Sequence, residues 1–598
     1  MDRLESLWGE YAGAKVPEWN HPIDARDFLQ CIQRFQKDWY RGHISELEIR
    51  EMIQRSSARL VWIPPKFHEA ARIDTGLFPL YNAIELNRYD ASQHHEFLSF
   101  VEEMDLTTFE NRCIHLPFSS DFYYLLRGQA FDVCRKHLNY DRLAWVKQLA
   151  YLGMFYSIQE KGLPDPNPHD ALHHSRMQHS LLVSSLIEIV MTRLGYDEHA
   201  ISESVFAAMV HDLATPGLGD TVKKLDKKGL DEELHLRDAI PPQAREVLKK
   251  QLGIDAGNIF RIVDGTLRTP GTALLHSSQL DLDKIAYTAL DANHYLLMCE
   301  YDRELPEWND ELNKYPEISK ILRSLPLLYE RIKEITSAHP ALFDIYKDVD
   351  IVKDAQGTDV AVFSDHEKVY QVLKLRGLLS AKLYMAPESR AKEAGYFFHL
   401  FSPLYGRGVF TAENLRQMTD REAAFTLMAT LGELEGLTVG YGKNSKGLLV
   451  PYQTKDSSTY LIDMGEGHAV MRYFKPFTIG AQPYLISKHE TEVEARLRAS
   501  TFGSAQDGVY VRHFKGFNAG ENTLVKDNMN DIVPLHCVRK AQEINELISL
   551  RDETTGWFVL APNPDFKDIF SDIRELHAKA RANPRGNVYP PTELWPDL

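Results

Sequence analysis

His179, the adjacent pair His211-Asp212, and Asp283 are residue types that hold divalent cations, and their surroundings argue that they lie inside the protein. Residues 202–210 end in Val205, Phe206, Ala207, Ala208, Met209 and Val210, which leave a helix almost no polar face. His211 and Asp212 therefore close a segment expected to be buried. A buried imidazole beside a buried carboxylate is costly unless something compensates both, and a cation does so directly. Nitrogen and oxygen donors together suit one divalent ion among Mn, Fe, Mg, Zn and Co. For an isolated His-Asp dipeptide, a helix-end ion pair or cap is the simpler reading.

The flanking elements shift that balance. His179 opens an apolar stretch of Leu181, Leu182, Val183, Leu186, Ile187, Ile189 and Val190, and His211 follows 32 residues later, room for two helices and a turn. Downstream, Asp283, Tyr287 and Asp291 recur every four residues, so one helix face presents all three. A solvated charged face would show the same spacing, but Ile285, Ala286, Ala289 and Leu290 make the surroundings apolar.

From residue 125 to about 431 the apolar positions recur at three and four, most clearly in 143–156, 181–194, 202–210, 283–298 and 369–383. The expected fold class is mainly α: a helical core over 116–432, a helical N-terminal extension over 1–115, and an α+β C-terminal unit over 433–598. In the last unit Gly-rich turns separate β-like runs at 448–452, 459–462, 469–474, 484–487 and 557–560, with a helix over 538–550. The Pro-rich segment 163–169 reads as a loop that carries on through His169, His173 and His174; these histidines could reach the pocket, with a surface loop as the favoured reading.

With 598 residues the chain exceeds the span of one ordinary core, and 44% apolar with 26% charged residues is the balance of a folded globular protein. A net charge of -17 opposes a nonspecific grip on nucleic acid and leaves a small phosphorylated molecule as the easier partner. Five cysteines in no CxxC pairing indicate neither a zinc finger nor a disulfide framework, and a reducing cytoplasm is the expected compartment. The acidic N-terminus does not read as a signal peptide. The apolar stretch 181–191 is interrupted by Ser184, Ser185 and Glu188, so no membrane anchor is expected.

The order His, His-Asp, Asp resembles the signature of the HD-domain phosphohydrolases, and the flanking text is similar to their deoxynucleoside triphosphate triphosphohydrolase branch. The matching segments are Arg142-Leu-Ala-Trp-Val-Lys147-Gln148-Leu149, Arg176-Met-Gln-His179-Ser-Leu-Leu-Val, Val210-His211-Asp212-Leu213, and Asp281-Leu-Asp283-Lys284-Ile-Ala-Tyr287-Thr-Ala-Leu-Asp291. The run Arg376-Gly-Leu-Leu-Ser-Ala-Lys382-Leu-Tyr384, followed by the basic segment from Ser389, resembles a family helix that approaches the substrate. The likeness spans about residues 110–430. It implies that His179, His211, Asp212 and Asp283 hold the metal and that Arg176 and Lys284 hold phosphates. Gln148 and Leu149 would border the sugar, and Tyr287, Asp291 and Tyr384 would line the same pocket. Such an ion polarises phosphoryl oxygen and activates water, and the cationic side chains neutralise a polyphosphate. The family often assembles, which implies a homo-oligomer.

The chain departs from the family after the HD pair. Where the family places histidines four and nine positions beyond the first, this chain has Thr215 and Asp220. Thr215 cannot titrate near neutrality, and Asp220 repels a polyphosphate unless protonated or metal-bound. His235 lies near the place of another family histidine and is the candidate replacement, with an exposed histidine on a charged helix as the plain alternative. The leading expectation is hydrolysis of a (deoxy)nucleoside triphosphate to nucleoside and tripolyphosphate. The alternatives are an HD-type phosphatase or phosphodiesterase on a nucleoside monophosphate, cyclic nucleotide or nucleic-acid end, and a nucleotide-binding regulator with a decayed site.

Overall fold

The computed structural model describes residues 60–62, 113–119, 122–125, 128–146, 174–277, 279–304, 326–385, 404–405, 410–420, 423, 427, 441–443, 449–451, 484–502 and 509–582. At the N-terminal end, β1 (Leu60–Trp62), β2 (Cys113–His115) and β3 (Phe122–Leu125) form an antiparallel sheet in the order β1-β3-β2. The remainder of the expected helical extension lies outside the described residues. A first helix, α1 (Gly128–His137), leads into a 3-10 turn at Asp141–Trp145.

The central helix α2 (Arg176–Arg193) starts at a capping box, in which Ser175 Oγ accepts from the Gln178 amide and Gln178 Oε1 accepts from the Ser175 amide. Its apolar residues are buried on every side, so α2 runs through the core rather than along its surface. Ser184 and Ser185, which interrupt the apolar run in sequence, are buried too. Their hydroxyls donate back to the Leu181 carbonyl at 2.8 and 2.7 Å, which offsets their desolvation. Helix α3 (Glu198–Val210), N-capped by Asp197, packs along α2 and ends at His211.

Beyond a loop and a 3-10 turn at Gly219–Lys224 come α4 (Glu232–Ala239), α5 (Ala256–Val263), α6 (Pro270–Leu275) and α7 (Leu282–Glu304). Asp281 caps α7 by accepting from the Lys284 amide at 2.8 Å. Helix α8 (Pro326–Ala338) precedes a feature that corrects the all-helical expectation for the core. This is an antiparallel hairpin, β4 (Val349–Lys353) and β5 (Asp359–Phe363). Its turn is built by Asp354 Oδ1, which accepts from Gln356 and Thr358, with Gly357 at φ +73°. Helix α9 (His366–Leu379) follows, and a π-turn at Ser380–Tyr384 extends it. A short helix, α10 (Ala412–Gln417), completes the described part of the core.

The C-terminal part is α+β, as expected. A short pair, β6 (Tyr441–Lys443) and β7 (Leu449–Pro451), precedes β8 (Tyr484–His489), α11 (Glu492–Ser500) and β9 (Tyr510–Phe514). Then come β10 (Leu524–Lys526), β11 (Ile532–Pro534), α12 (Ala541–Thr554), β12 (Gly556–Pro562) and α13 (Lys567–Ala582). Strand β12 lies between β8 and β9 in one sheet. The β10–β11 hairpin adds to β5, giving a four-stranded sheet β11-β10-β5-β4 that joins segment 349–363 to segment 524–534. Val525, Leu535, Leu547 and Leu550 share one hydrophobic cluster with α9 and α2. The runs expected at 459–462 and 469–474 lie outside the described residues. Among the described residues no helix is long and apolar enough to cross a membrane.

The loop after His211-Asp212 is held by buried Arg142. Its guanidinium donates to the carbonyls of Leu213 and Thr215, both at 2.8 Å, and to Met418 at 2.9 Å. Gly217 sits where a Cβ would come within 2.8 Å of the Thr419 carbonyl oxygen, so only glycine allows the loop to close against the segment after α10. Because Arg142→Leu strands three buried acceptors, it is expected to cost about 3 kcal/mol. Arg142→Lys, which keeps the charge but not the fork, should recover part of that. Urea unfolding of the purified variants measures both, and wild-type stability in Arg142→Leu would contradict the role assigned to the clamp.

Candidate functional site

Three helix ends and one helix face converge. Near its start α2 carries Arg176 and His179, the C-terminal end of α3 carries His211 and Asp212, and the first turns of α7 carry Asp283, Tyr287 and Asp291. His179 Nε2 lies 2.8 Å from Asp283 Oδ1, and His211 Nε2 lies 3.6 Å from the same oxygen. One donor atom from each of His179, His211 and Asp283 falls within 4.8 Å of the others. The His179 side chain is 2% exposed, whereas His211 keeps 15% and Asp283 26%, so the cluster opens on the side of those two residues.

The donor set fits a divalent cation. His211 Nδ1 lies 2.7 Å from the Ala208 carbonyl, an obligate acceptor, so this nitrogen carries the hydrogen and Nε2 is the one that would bind a cation once deprotonated. Separations of 2.8 to 3.6 Å between donor atoms are those of ligands about 2.0–2.2 Å from a shared ion. Asp212 stands beside the three rather than among them. Its Oδ2 is 3.5 Å from His211 Nε2, and Arg176 Nη1 donates to both its oxygens, at 3.1 and 3.2 Å.

The charges are strongly coupled to these positions. Burial alone would raise the Asp212 carboxyl, but Arg176, with His211 and His179, brings it down to about 2. Burial works the same way on Asp283, and hydrogen bonds with His179 and His211 hold it well below the usual carboxylate range. For His211 burial lowers the imidazole, yet the Asp212 and Asp283 carboxylates and the Ala208 carbonyl lift it to about 9. In the absence of a cation His211 is therefore protonated at neutral pH.

A second cluster flanks the first. Tyr384, brought in by the π-turn, donates to Asp291 Oδ2, and His174 Nδ1 lies 3.3 Å from Asp291 Oδ1. His174 is fully buried, with its ring 5.8 Å from that of His179. This corrects its placement on a surface loop. The signal was its position directly before the capping box, which sets it about one turn ahead of His179. Burial lowers the His174 imidazole against the opposing pull of Asp291. Tyr287, whose ring is 6.5 Å from that of His179, accepts from Arg376 Nε at 2.5 Å. Arg376 entered the sequence reading only as part of a matched helix.

Other expected site residues are placed elsewhere or differently. Lys284 Nζ donates to Asp281 Oδ2 at 2.5 Å and to the Ser277 carbonyl at 2.8 Å. Thr215 is buried and donates to Asp212 Oδ1 at 3.1 Å, so it holds that carboxylate in place. The ring nitrogens of His235 face Asp238 at 2.9 Å and the Lys228 carbonyl at 3.1 Å on α4, not the cluster. Asp220 lies in the 3-10 turn after the loop, its side chain outside the described residues. Gln148, Leu149, His169, His173 and the segment from Ser389 also lie outside them.

No protein-family model matches the chain, and no curated protein matches it in sequence. Among solved structures it is similar to the crystal structure of a phosphohydrolase from Bacteroides thetaiotaomicron. The identity is 13%, the match covers 75% of this chain and 99% of that chain, and the TM-score is 0.46.

Because His211 holds a proton up to about pH 9, cation uptake through its Nε2 must release that proton. Apparent manganese affinity should therefore rise with pH, by up to about tenfold per unit below 9, and level off above it. Titration calorimetry in two buffers of different ionisation enthalpy reads the proton release. An affinity flat between pH 6 and 8, or unchanged in His211→Ala, would remove His211 from the ligand set.

Proposed function

We propose that this chain is a metal-dependent phosphohydrolase acting on nucleotides, with a (deoxy)nucleoside triphosphate as its substrate and tripolyphosphate as its product. The observation that carries the reading is the convergence of His179, His211 and Asp283 from three helices, with Asp212 alongside. Such donors in a partly buried site are costly without a cation, and a site of this composition is built to take one. When bound, the cation supplies Lewis-acid stabilisation of phosphoryl oxygen and lowers the pKa of water.

The chain's own residues account for the remaining requirements. Tyr287, Asp291, Tyr384 and Arg376 form a wall beside the cluster that offers one guanidinium, one carboxylate and two phenols. This mixture suits a ligand with both an anionic and a hydroxyl-bearing end, as a nucleotide has. Among the described residues Arg376 Nη2 makes no hydrogen bond, so it can receive a phosphate oxygen. Arg176 and Lys284 contribute positive charge while holding Asp212 and Asp281. In the proposed reaction the oxygen of water adds to the α-phosphorus, the bond to the 5′-oxygen breaks, and that oxygen leaves with a proton as the nucleoside hydroxyl.

Thr215 in place of a histidine favours a second reading, in which another phosphorylated substrate releases orthophosphate. Incubation with manganese, magnesium, iron or cobalt and a panel of nucleoside mono-, di- and triphosphates separates the two, with products identified by mass. Tripolyphosphate supports the first reading and orthophosphate the second. Asp283→Ala is expected to lower turnover at least about a thousandfold, because it removes the carboxylate shared by both imidazoles. Turnover retained in that variant would sink the assignment.

A further inference from the structure

The C-terminal part reaches the site through α9. Along one face of that helix, turn after turn, it meets a partner from beyond residue 500. Glu367 pairs with Arg539, Tyr370 donates to Glu546 at 2.6 Å, and Lys374 pairs with Glu546 at 3.0 Å. Further along, Gly377 faces Leu550. The same helix presents Arg376 to Tyr287.

Segment 515–520 is the part of this contact that lies against Arg376 itself. The Asn518 carbonyl accepts from Arg376 Nη1 at 2.7 Å, and the Phe517 ring lies 5.8 Å from the guanidinium carbon, as does the Tyr287 ring. Arg376 is thus held by two aromatic rings, one phenol oxygen and one carbonyl, with Nη2 left over. The segment is anchored where it touches α9. Asn518 Oδ1 accepts from the Gly520 amide at 2.8 Å, and Gly520, at φ +80°, sits where a Cβ would meet Leu373 at 2.4 Å. A carbonyl fixed this way sets the direction of the guanidinium.

We propose that segment 515–520 is a positioning element of the site: by holding Arg376 against Tyr287, it lets the C-terminal part set the pocket's affinity for the phosphate of its substrate. The inference rests on the phosphohydrolase reading for the identity of that anion. Phe517 and Asn518 act through Arg376. Loss of the Phe517 ring, or of the Asn518 Oδ1 bond that fixes the carbonyl, lets Arg376 turn away while the metal donors stay in place.

The test uses the full chain with stoichiometric manganese and inorganic phosphate as the probe, followed by calorimetry. Phe517→Ala and Asn518→Ala are each expected to weaken phosphate binding about tenfold, as Arg376→Gln does, with manganese affinity unchanged. Phe517→Tyr, which keeps the ring, should restore binding. In turnover assays the same variants should raise KM about tenfold and change kcat little, a split that general loosening of the fold would not produce. Equal phosphate affinity in wild type, Phe517→Ala and Asn518→Ala overturns the inference, and so does absence of phosphate binding to the wild type. If the wild type hydrolyses no nucleotide yet the phosphate affinities differ as stated, the hydrolase reading falls and the positioning role stands.

Discussion

The arrangement depends on one carboxylate, Asp283, placed between two imidazoles that come from different helices. Among the described residues, the other carboxylates nearby each have a partner of their own. Asp212 has Arg176, Asp281 has Lys284, and Asp291 has His174 and Tyr384. Four acidic groups this close would otherwise repel one another and raise each other's pKa. With separate partners, Asp212 and Asp283 both stay ionised, and Asp283 remains directed at His179 and His211. The helices α2, α3 and α7 are consequently fixed at their site ends by charge and along their lengths by apolar burial.

The same economy explains the layering around α9. One of its faces contributes Arg376 to the wall on α7, and another is gripped by α12 and segment 515–520. The sheet that joins β5 to β10 ties the C-terminal part to the chain just before α9 begins. A displacement of the C-terminal part cannot leave α9 unaffected, since its charged contacts and Leu550 run along the whole helix. The wall beside the cluster is therefore supported from beyond residue 500, although His179, His211 and Asp283 all come earlier in the chain.

Legibility in the sequence followed the range of the interactions. Asp283, Tyr287 and Asp291 could be read together because helical periodicity places them on one face, and His179 and His211 because apolar stretches adjoin them. The β4–β5 hairpin was overlooked although it is short and alternating, with Asp354 and Gly357 as turn signals, because helical patterns surround it. His174 was hidden by the Pro-rich segment before it, since composition there spoke for a loop and its burial comes from Asp291 on another helix. The Asn518 contact had no readable signal at all. It is made by a backbone carbonyl, which every residue possesses, and its partner is 142 positions away.

Thr215 changes which groups could serve the proposed reaction. Its hydroxyl donates to Asp212 and its carbonyl is held by Arg142, so the position where relatives by resemblance carry a histidine is here a clamp on a carboxylate. In the proposed reaction the hydrogen would then come from the phenols of the neighbouring wall. Burial raises the Tyr287 phenol above its usual value despite Arg376 and Lys284, and it raises Tyr384 further, with Asp291 adding to the effect. Both phenols thus keep their hydrogens throughout the neutral range. Tyr384 spends its hydrogen on Asp291, whereas the Tyr287 oxygen only accepts from Arg376, and among the described residues its own hydrogen has no acceptor. Tyr287 is therefore the donor that a ligand oxygen beside the cluster would meet. Its oxygen accepts from Arg376, which also donates to the Asn518 carbonyl.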